Sequence, residues 1–304
     1  MEYSRRILLV FLVGILLFIY SAGAEDGMSS AFVDALGRNI TLEAPQRVGI
    51  ASGSLAECWM LAGGEVCAVT RDAEERKLEL PEGVIDLGSL KEPSLEAILA
   101  ADLDFLILMP SLKNHLAMAE TLDKTGIPYA YFNVEDLEDY LKLLKLFTDI
   151  TGQNDLYERN GASIQPRIDA ALECGRLAEP AKILILRTSS GKVKALDSSF
   201  MVGGMLAEFG CVNIADSNSG LLTELSLEAI VQENPEYIFI SCMGDVAEGM
   251  ALLESTLAAN PVWSKLQAVQ NGRCFYLEKE LFHHKPNARW GESYEKLAEL
   301  LAQD

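Results

Sequence analysis

The amino-acid sequence predicts an α/β protein of two similar lobes, each built on a parallel sheet, with one long helix between them. Three observations carry that prediction. Short apolar runs of strand length alternate with helical patterns, as expected of strands buried on both faces of helix-covered parallel sheets. A fifteen-residue segment recurs at an offset of 132 residues: Ser94-Leu-Glu-Ala-Ile-Leu-Ala-Ala-Asp-Leu-Asp-Phe-Leu-Ile-Leu aligns without gaps on Ser226-Leu-Glu-Ala-Ile-Val-Gln-Glu-Asn-Pro-Glu-Tyr-Ile-Phe-Ile. One pair so far apart indicates duplicated lobes, not a solenoid. Finally, residues 134–178 carry almost no strand signal.

Taken in order, residues 1–24 read as an export signal. Arg5 and Arg6 precede the uncharged run 7–20 and the small-residue site Ser21-Ala-Gly-Ala24, which makes Glu25 the expected mature start. Fourteen apolar residues rise about 21 Å as a helix, short of the roughly 30 Å hydrocarbon core, so an uncleaved anchor is the lesser reading. No cysteine precedes Cys58, which leaves a thioether-lipid anchor without an attachment point.

The N-terminal lobe is assigned to 25–152, with strands at 48–51, 66–70, 105–109 and 129–132. Ser54-Leu-Ala-Glu57 reads as a capping box, and Gly63-Gly64 ends the helix it opens. Leu137, Tyr140, Leu141, Leu144 and Phe147 recur at helical spacing before a break at Thr151-Gly-Gln-Asn154. Residues 153–178 form the interlobe helix. About 23 residues would span about 34 Å, enough to cross stiffly from lobe to lobe. The C-terminal lobe, 179–304, has strands at 183–186, 237–242 and 274–277.

Composition narrows the class. The chain has 304 residues, 49% apolar, with 45 acidic against 25 basic side chains, which excludes disordered, collagenous and polytopic membrane classes. A net charge of -20 excludes a nucleic-acid-binding face; without residues 1–24 it is -21 over 280 residues, read as a solvated surface. Six cysteines in an exported chain permit disulfides without establishing them. No C-x-x-C pair occurs, and Cys67 and Cys242 fall in apolar runs where a free thiol packs as a small hydrophobe.

Several segments in this order and spacing carry a family resemblance: Asp34-Ala-Leu-Gly-Arg38 with Pro45-Gln-Arg-Val48, the 54–64 helix, Leu87-Gly-Ser89 with Ser94-Leu-Glu-Ala-Ile98, Gly126-Ile-Pro128 and Gly210-Cys-Val-Asn-Ile-Ala215. Asn260-Pro-Val-Trp263, Ala268-Val-Gln-Asn-Gly-Arg273 and Pro286-Asn-Ala-Arg-Trp-Gly-Glu-Ser293 complete the set. Together they resemble the periplasmic solute-binding proteins of ABC importers, in the class that delivers iron-siderophore complexes, haem and cobalamin. The resemblance implies two Rossmann-like lobes with parallel sheets joined by a single long rigid helix, and a ligand cleft between the lobes. It further implies an exported, monomeric receptor in the periplasm or on the outer face of the cytoplasmic membrane. The transported ligand would be a metal chelate (ferric siderophore, haem or cobalamin), with no intrinsic cofactor, delivered to a membrane permease dimer with its cytoplasmic ATPase.

Glu96 and Glu228 form the sharpest pair. Singly, each carboxylate lies two residues after a Ser N-cap, where it complements the helix dipole. As equivalents in duplicated lobes, they match what the resemblance implies, namely glutamates that meet arginines of the two permease subunits.

The cleft is expected in the loops after the carboxyl ends of the strands. Those loops supply Ser54, Arg71, Met109, Ser111, Lys113, Arg187, Phe200, Met201, Met243, Phe282, His283 and His284. Arg187 ends an apolar strand where its charge must leave the sheet, either to solvent or to a carboxylate or siderophore oxygen in bidentate hydrogen bonds. His283 and His284 are adjacent, so at most one is expected to face the cleft, as a polar lining or as a haem or metal ligand. His115 follows a strand end too, where an exposed helix start explains it equally well. The methionines and Phe282 suit a soft wall for a bulky chelate, although methionine also fills core space. Highly anionic tris-catecholates are disfavoured unless Arg71, Lys113, Arg187 and Lys285 converge.

No bare-metal site and no catalytic residue is assigned. G-x-S-x-G, H-E-x-x-H and P-loop motifs are missing, which leaves hydrolase, metalloprotease and ATPase readings without their working groups. The rival readings are a secreted bilobal chelatase acting on a porphyrin or corrinoid, and a sensory receptor without a transporter.

Overall fold

The structure, a computed structural model, describes residues 29–189 and 191–303. The export segment 1–24 lies outside the described residues. β1 (Ser29–Val33) and β2 (Asn39–Glu43) open the chain as an antiparallel hairpin. Its turn is the Asp34–Arg38 motif. The Asp34 carboxylate accepts from the backbone N–H of Leu36 and Arg38, from the Arg38 guanidinium at 2.7 Å and from the N–H of Tyr131. Burial alone would raise this carboxyl, but those hydrogen bonds hold it below the ordinary range. The turn thus staples the hairpin to the N-lobe sheet.

That sheet contains β3 (Val48–Ile50), β4 (Ala68–Val69), β5 (Ile85–Asp86), β8 (Phe105–Leu108) and β9 (Tyr129–Tyr131), in the order β5-β4-β3-β8-β9, all parallel. A small hairpin, β6 (Gly88–Ser89) with β7 (Glu92–Pro93), leads into the helix Leu95–Ala100. The C-lobe sheet contains β10 (Ala181–Ser189), β11 (Lys192–Leu196), β12 (Cys211–Asn213), β13 (Tyr237–Cys242) and β14 (Cys274–Leu277), in the order β11-β10-β13-β14, with β12 also on β10. All its pairings are parallel except β10 with β11, an antiparallel hairpin that the sequence reading did not anticipate. Its 192–196 segment, Lys-Val-Lys-Ala-Leu, is too polar to read as a strand buried on both faces.

The repeat survives as matched local structure. Ser94 Oγ accepts the Ala97 N–H at 3.1 Å, and Ser226 Oγ accepts the Ala229 N–H at 3.2 Å. Downstream of each helix, Asp102 (φ 52°) and Asn234 (φ 46°) turn the chain in the left-handed region before β8 and β13. These two residues are themselves 132 apart.

Between the lobes the chain is helical in three consecutive pieces: α-helix Asn154–Tyr157, π-helix Glu158–Ala162 and α-helix Ile164–Gly175. The widened turn differs from the uninterrupted helix expected, and the reason is local. The Asn160 carbonyl accepts the Tyr140 hydroxyl at 2.8 Å, and the Asn160 amide donates to the Leu61 carbonyl at 2.7 Å, so this turn is tied sideways to the N-lobe. Ile164–Gly175 packs on the last helix, Trp290–Leu301, so closely that a Cβ at Gly175 would lie 2.7 Å from the Ala298 methyl. Arg167 and Glu295 close the same interface with paired hydrogen bonds of 2.8 and 2.7 Å. One apolar core runs unbroken from Trp59 and Phe147 in the N-lobe through Ile164 and Ile168 to Phe209, Trp290 and Tyr294.

Candidate ligand cleft between the lobes

β10 carries Arg187 to the interlobe face, where its guanidinium carbon lies 4.9 Å from the centroid of the Phe200 ring. Arg187, Phe200, Met201, Phe282, His283 and Lys285 line a niche of about 140 Å³. Arg187 is half-buried and has no ion pair among the described residues. Beside it, Lys285 Nζ crosses the lobe boundary to donate to the Glu135 carbonyl at 2.7 Å. Burial lowers the Lys285 ammonium from its ordinary value, against the opposing pull of Glu135, Asp136 and Asp139. Burial also lowers His283, helped by Lys279 and Arg187, which keeps its imidazole neutral at neutral pH.

The niche shares Phe200 and Met201 with a chamber of about 600 Å³. Glu135, Asp136, Leu137, Glu138 and Leu141 form the N-lobe wall; Gln165 and Ile168 come from the connecting helix. Ser198, Ser199, Met205, Glu208, Trp290 and Tyr294 supply the opposite wall. Both lobes and the connection between them therefore contribute to one space.

A third region is packed shut. The Arg76 guanidinium donates to the Glu57 carboxylate and, at 2.7 Å, to the Lys285 carbonyl; its side chain is only 7% exposed. From the other lobe, Asn287 Nδ2 donates to the Ser54 carbonyl at 3.0 Å and to Glu57 Oε2 at 2.9 Å. Asn287 sits at φ 50°, a left-handed conformation that its short amide tolerates. His284 faces this latch with Glu57, Arg76 and Arg289, and its buried Nε2 has no partner among the described residues. Desolvation, reinforced by Arg76, lowers the His284 imidazole to about 4.

The sequence-derived candidates thus separate. Arg187, Phe200, Met201, Phe282 and His283 come together; the two adjacent histidines diverge, His283 into the niche and His284 into the latch. Their divergence comes from the end of a short helix, Lys279–Phe282, and not from an extended strand. Arg71 is elsewhere, exposed and paired with Asp86 at 2.7 Å beside an N-lobe recess. Met243 lines a separate recess of about 460 Å³ made by C-lobe residues alone. Ser111 and Lys113 are exposed, so the basic convergence weighed for a tris-catecholate reduces to Arg187 and Lys285. Met109 is half-buried, and its backbone N–H donates to His115 Nδ1 at 3.0 Å. His115 is fully buried rather than at an exposed helix start. Its Nε2 meets the Leu90 carbonyl at 2.7 Å, and desolvation lowers its pKa, so it clamps two strand-end loops as a neutral ring.

Ser54 is in the first turn of the helix Gly53–Leu61, whose N-cap is Ser52, accepting the Leu55 N–H at 3.4 Å. The expected capping box at Ser54 is therefore displaced by two residues, because Glu57 is drawn to Arg76 and Asn287. The chamber carboxylates and the latch were missed by sequence reasoning. The loop after β9 obeys the same strand-end rule used for the other cleft loops, and applying it there would have included Glu135 and Asp136. Nothing local in the sequence marks Arg76 and Asn287 as partners of Glu57.

Glu96 and Glu228 are both exposed in the first turns of their helices, and neither has an ion pair among the described residues. All six cysteines are free. Among the described residues no three His, Cys, Asp or Glu side chains are placed to hold a metal ion, and no helix is long and apolar enough to cross a membrane.

Comparison with known proteins agrees with this architecture. The chain is 21% identical over 262 residues to the ferric-anguibactin-binding protein FatB of Vibrio anguillarum, covering 82% of this chain and 79% of that protein. Its fold matches the siderophore-binding protein BauB, solved with ferric iron and two molecules of acinetobactin, with a TM-score of 0.73, 17% identity and coverage of 91% of this chain and 100% of that one. It also matches the apo periplasmic haem-binding protein RhuT of Roseiflexus sp. RS-1, with a TM-score of 0.67, 20% identity and coverage of 84% and 97%. The model of the periplasmic binding protein family matches residues 56–281, and the chain belongs to that family.

Proposed function

We propose that the protein is the extracytoplasmic substrate-binding protein of an ABC importer, which captures an iron complex (siderophore or haem) or cobalamin between its lobes and hands it to the permease. In this reading residues 25–152 and 179–304 are the two jaws and 153–178 the strut between them. The observation that carries it is Arg187: a half-buried guanidinium with no ion pair among the described residues, beside Lys285 in an interlobe niche that opens onto a larger chamber. Such a pair is short of negative charge and suits the oxygen donors of a chelate or the carboxylates of a macrocycle. Relatives named for ferric-siderophore and haem binding support the same ligand range. The unbroken core between the lobes supports modest closure over a large swing.

The test is the absorbance spectrum and native mass of protein loaded from host medium. A Soret band, corrinoid bands or a siderophore charge-transfer band identifies the cargo; protein that takes up none of these at high micromolar supply sinks the reading. For delivery, Glu96 and Glu228 are the proposed contacts with permease arginines. The double variant Glu96→Ala with Glu228→Ala is expected to abolish uptake in cells and leave cargo affinity unchanged. Uptake at the unaltered rate would remove these residues from docking.

A further inference from the structure

We propose that the cargo carries a protonated amine and that the acidic chamber is the seat of that arm. This rests on the cargo-binding reading above and narrows its chemical class. The two connected cavities have opposite character: Arg187 and Lys285 line the niche, whereas Glu135, Asp136, Glu138 and Glu208 line the chamber, with no Lys or Arg in its wall. The protein neutralises little of this charge. Glu138 pairs with Lys142 at 2.5 Å, but Glu135 accepts from the Asn133 amide, Asp136 from the Asp139 N–H, and Glu208 from the Tyr294 hydroxyl, all neutral donors. Lys285 stands at the border, where its ammonium is taken by the Glu135 carbonyl.

A second, independent feature marks the chamber as incomplete. Trp290 lines it and is 2% exposed, yet its indole N–H has no hydrogen-bond partner among the described residues. Buried indole N–H groups usually find an acceptor. With Phe200 and Met201 as the shared apolar edge, the space fits an alkylammonium arm whose methylenes lie on that edge, whose nitrogen meets the carboxylates and whose oxygen acceptor meets the indole. The oxygen-rich metal core then faces Arg187. Such a cargo is amphoteric, which accounts for a cleft that is basic on one side and acidic on the other.

The probes are the ferric complex of desferrioxamine B, which keeps one pendant ammonium, and the same complex after N-acetylation, which removes that charge and leaves the iron core intact. Affinities are read from tryptophan fluorescence for the unaltered chain and for the Glu135→Gln, Glu208→Gln double variant, both exposed positions where the amide preserves shape. The unaltered chain is expected to prefer the ammonium complex by on the order of tenfold, with the gap closing in the variant while affinity for the acetylated complex stays the same. Equal affinities, or a gap that survives in the variant, overturn the proposal and leave the cargo-binding reading standing. So does a protein that takes neither probe but takes a trianionic ferric tris-catecholate. A protein that takes no ferric chelate, haem or cobalamin overturns both.

Discussion

At one end of the interlobe seam, Glu57, Arg76 and Asn287 are packed against one another and satisfy each other's hydrogen bonds across the two lobes. At the other end, Glu135, Asp136 and Glu208 stand around about 600 Å³ of open space with only neutral protein donors. The difference teaches how to tell a structural charge from a reserved one. A buried charge whose partners all come from the protein fixes the lobes relative to each other, and its loss is felt as stability. A charge facing a cavity without a protein counter-ion costs the apo fold little and awaits a partner that the chain does not supply.

The sharpest way to break this comparison is at the latch. Glu57→Ala strips the carboxylate from a guanidinium that is 7% exposed, while Glu57 itself is 24% exposed. We expect a loss of about 2–3 kcal/mol in urea denaturation, below the fully buried case, with cargo affinity within a few-fold. A cargo defect without a stability defect would reverse the assignment of the two ends. Next in size, Arg187→Ala should weaken cargo binding by about 10- to 100-fold, as expected for charge-assisted hydrogen bonds, and change stability by less than about 0.5 kcal/mol. Titration against the loaded chelate checks it, and unchanged affinity would remove Arg187 from the site.

The smallest effect is a pH dependence confined to the latch. The His284 imidazole is lowered to about 4 in the folded protein, from about 6.5 when unfolded. Above the unfolded value both states are neutral. As the pH falls toward 4 the unfolded chain takes up a proton that the folded one refuses, so stability declines over that window. His284→Gln should show a shallower decline in urea midpoint between pH 6.5 and 4. Identical slopes would mean that the ring is not held neutral.

Much of the fold was legible because its signals are local. The runs at 237–242 and 274–277 coincide with β13 and β14, and both Ser-capped helices of the repeat form as read. Edge strands escaped: β5 has two residues and β12 three, too few for any periodicity to register. The site was legible in part. Arg187, Phe200, Phe282 and His283 follow from strand-end position and polarity, whereas Arg71 and Met243 satisfy the same rule and point into other recesses. Strand-end position places a residue on the right face of a lobe but not on the right part of that face.

The sequence by itself determined the element types, the duplication into lobes, the acidic surface and the family, because periodicity, caps and turns are written within about ten residues of chain. Only the tertiary structure decided which charges meet. Arg76 reaches the carbonyl of Lys285, 209 residues away, and Lys285 reaches that of Glu135, 150 residues away. Electrostatic and hydrogen-bond energies depend on distance and burial in space, and separation along the chain carries no information about either.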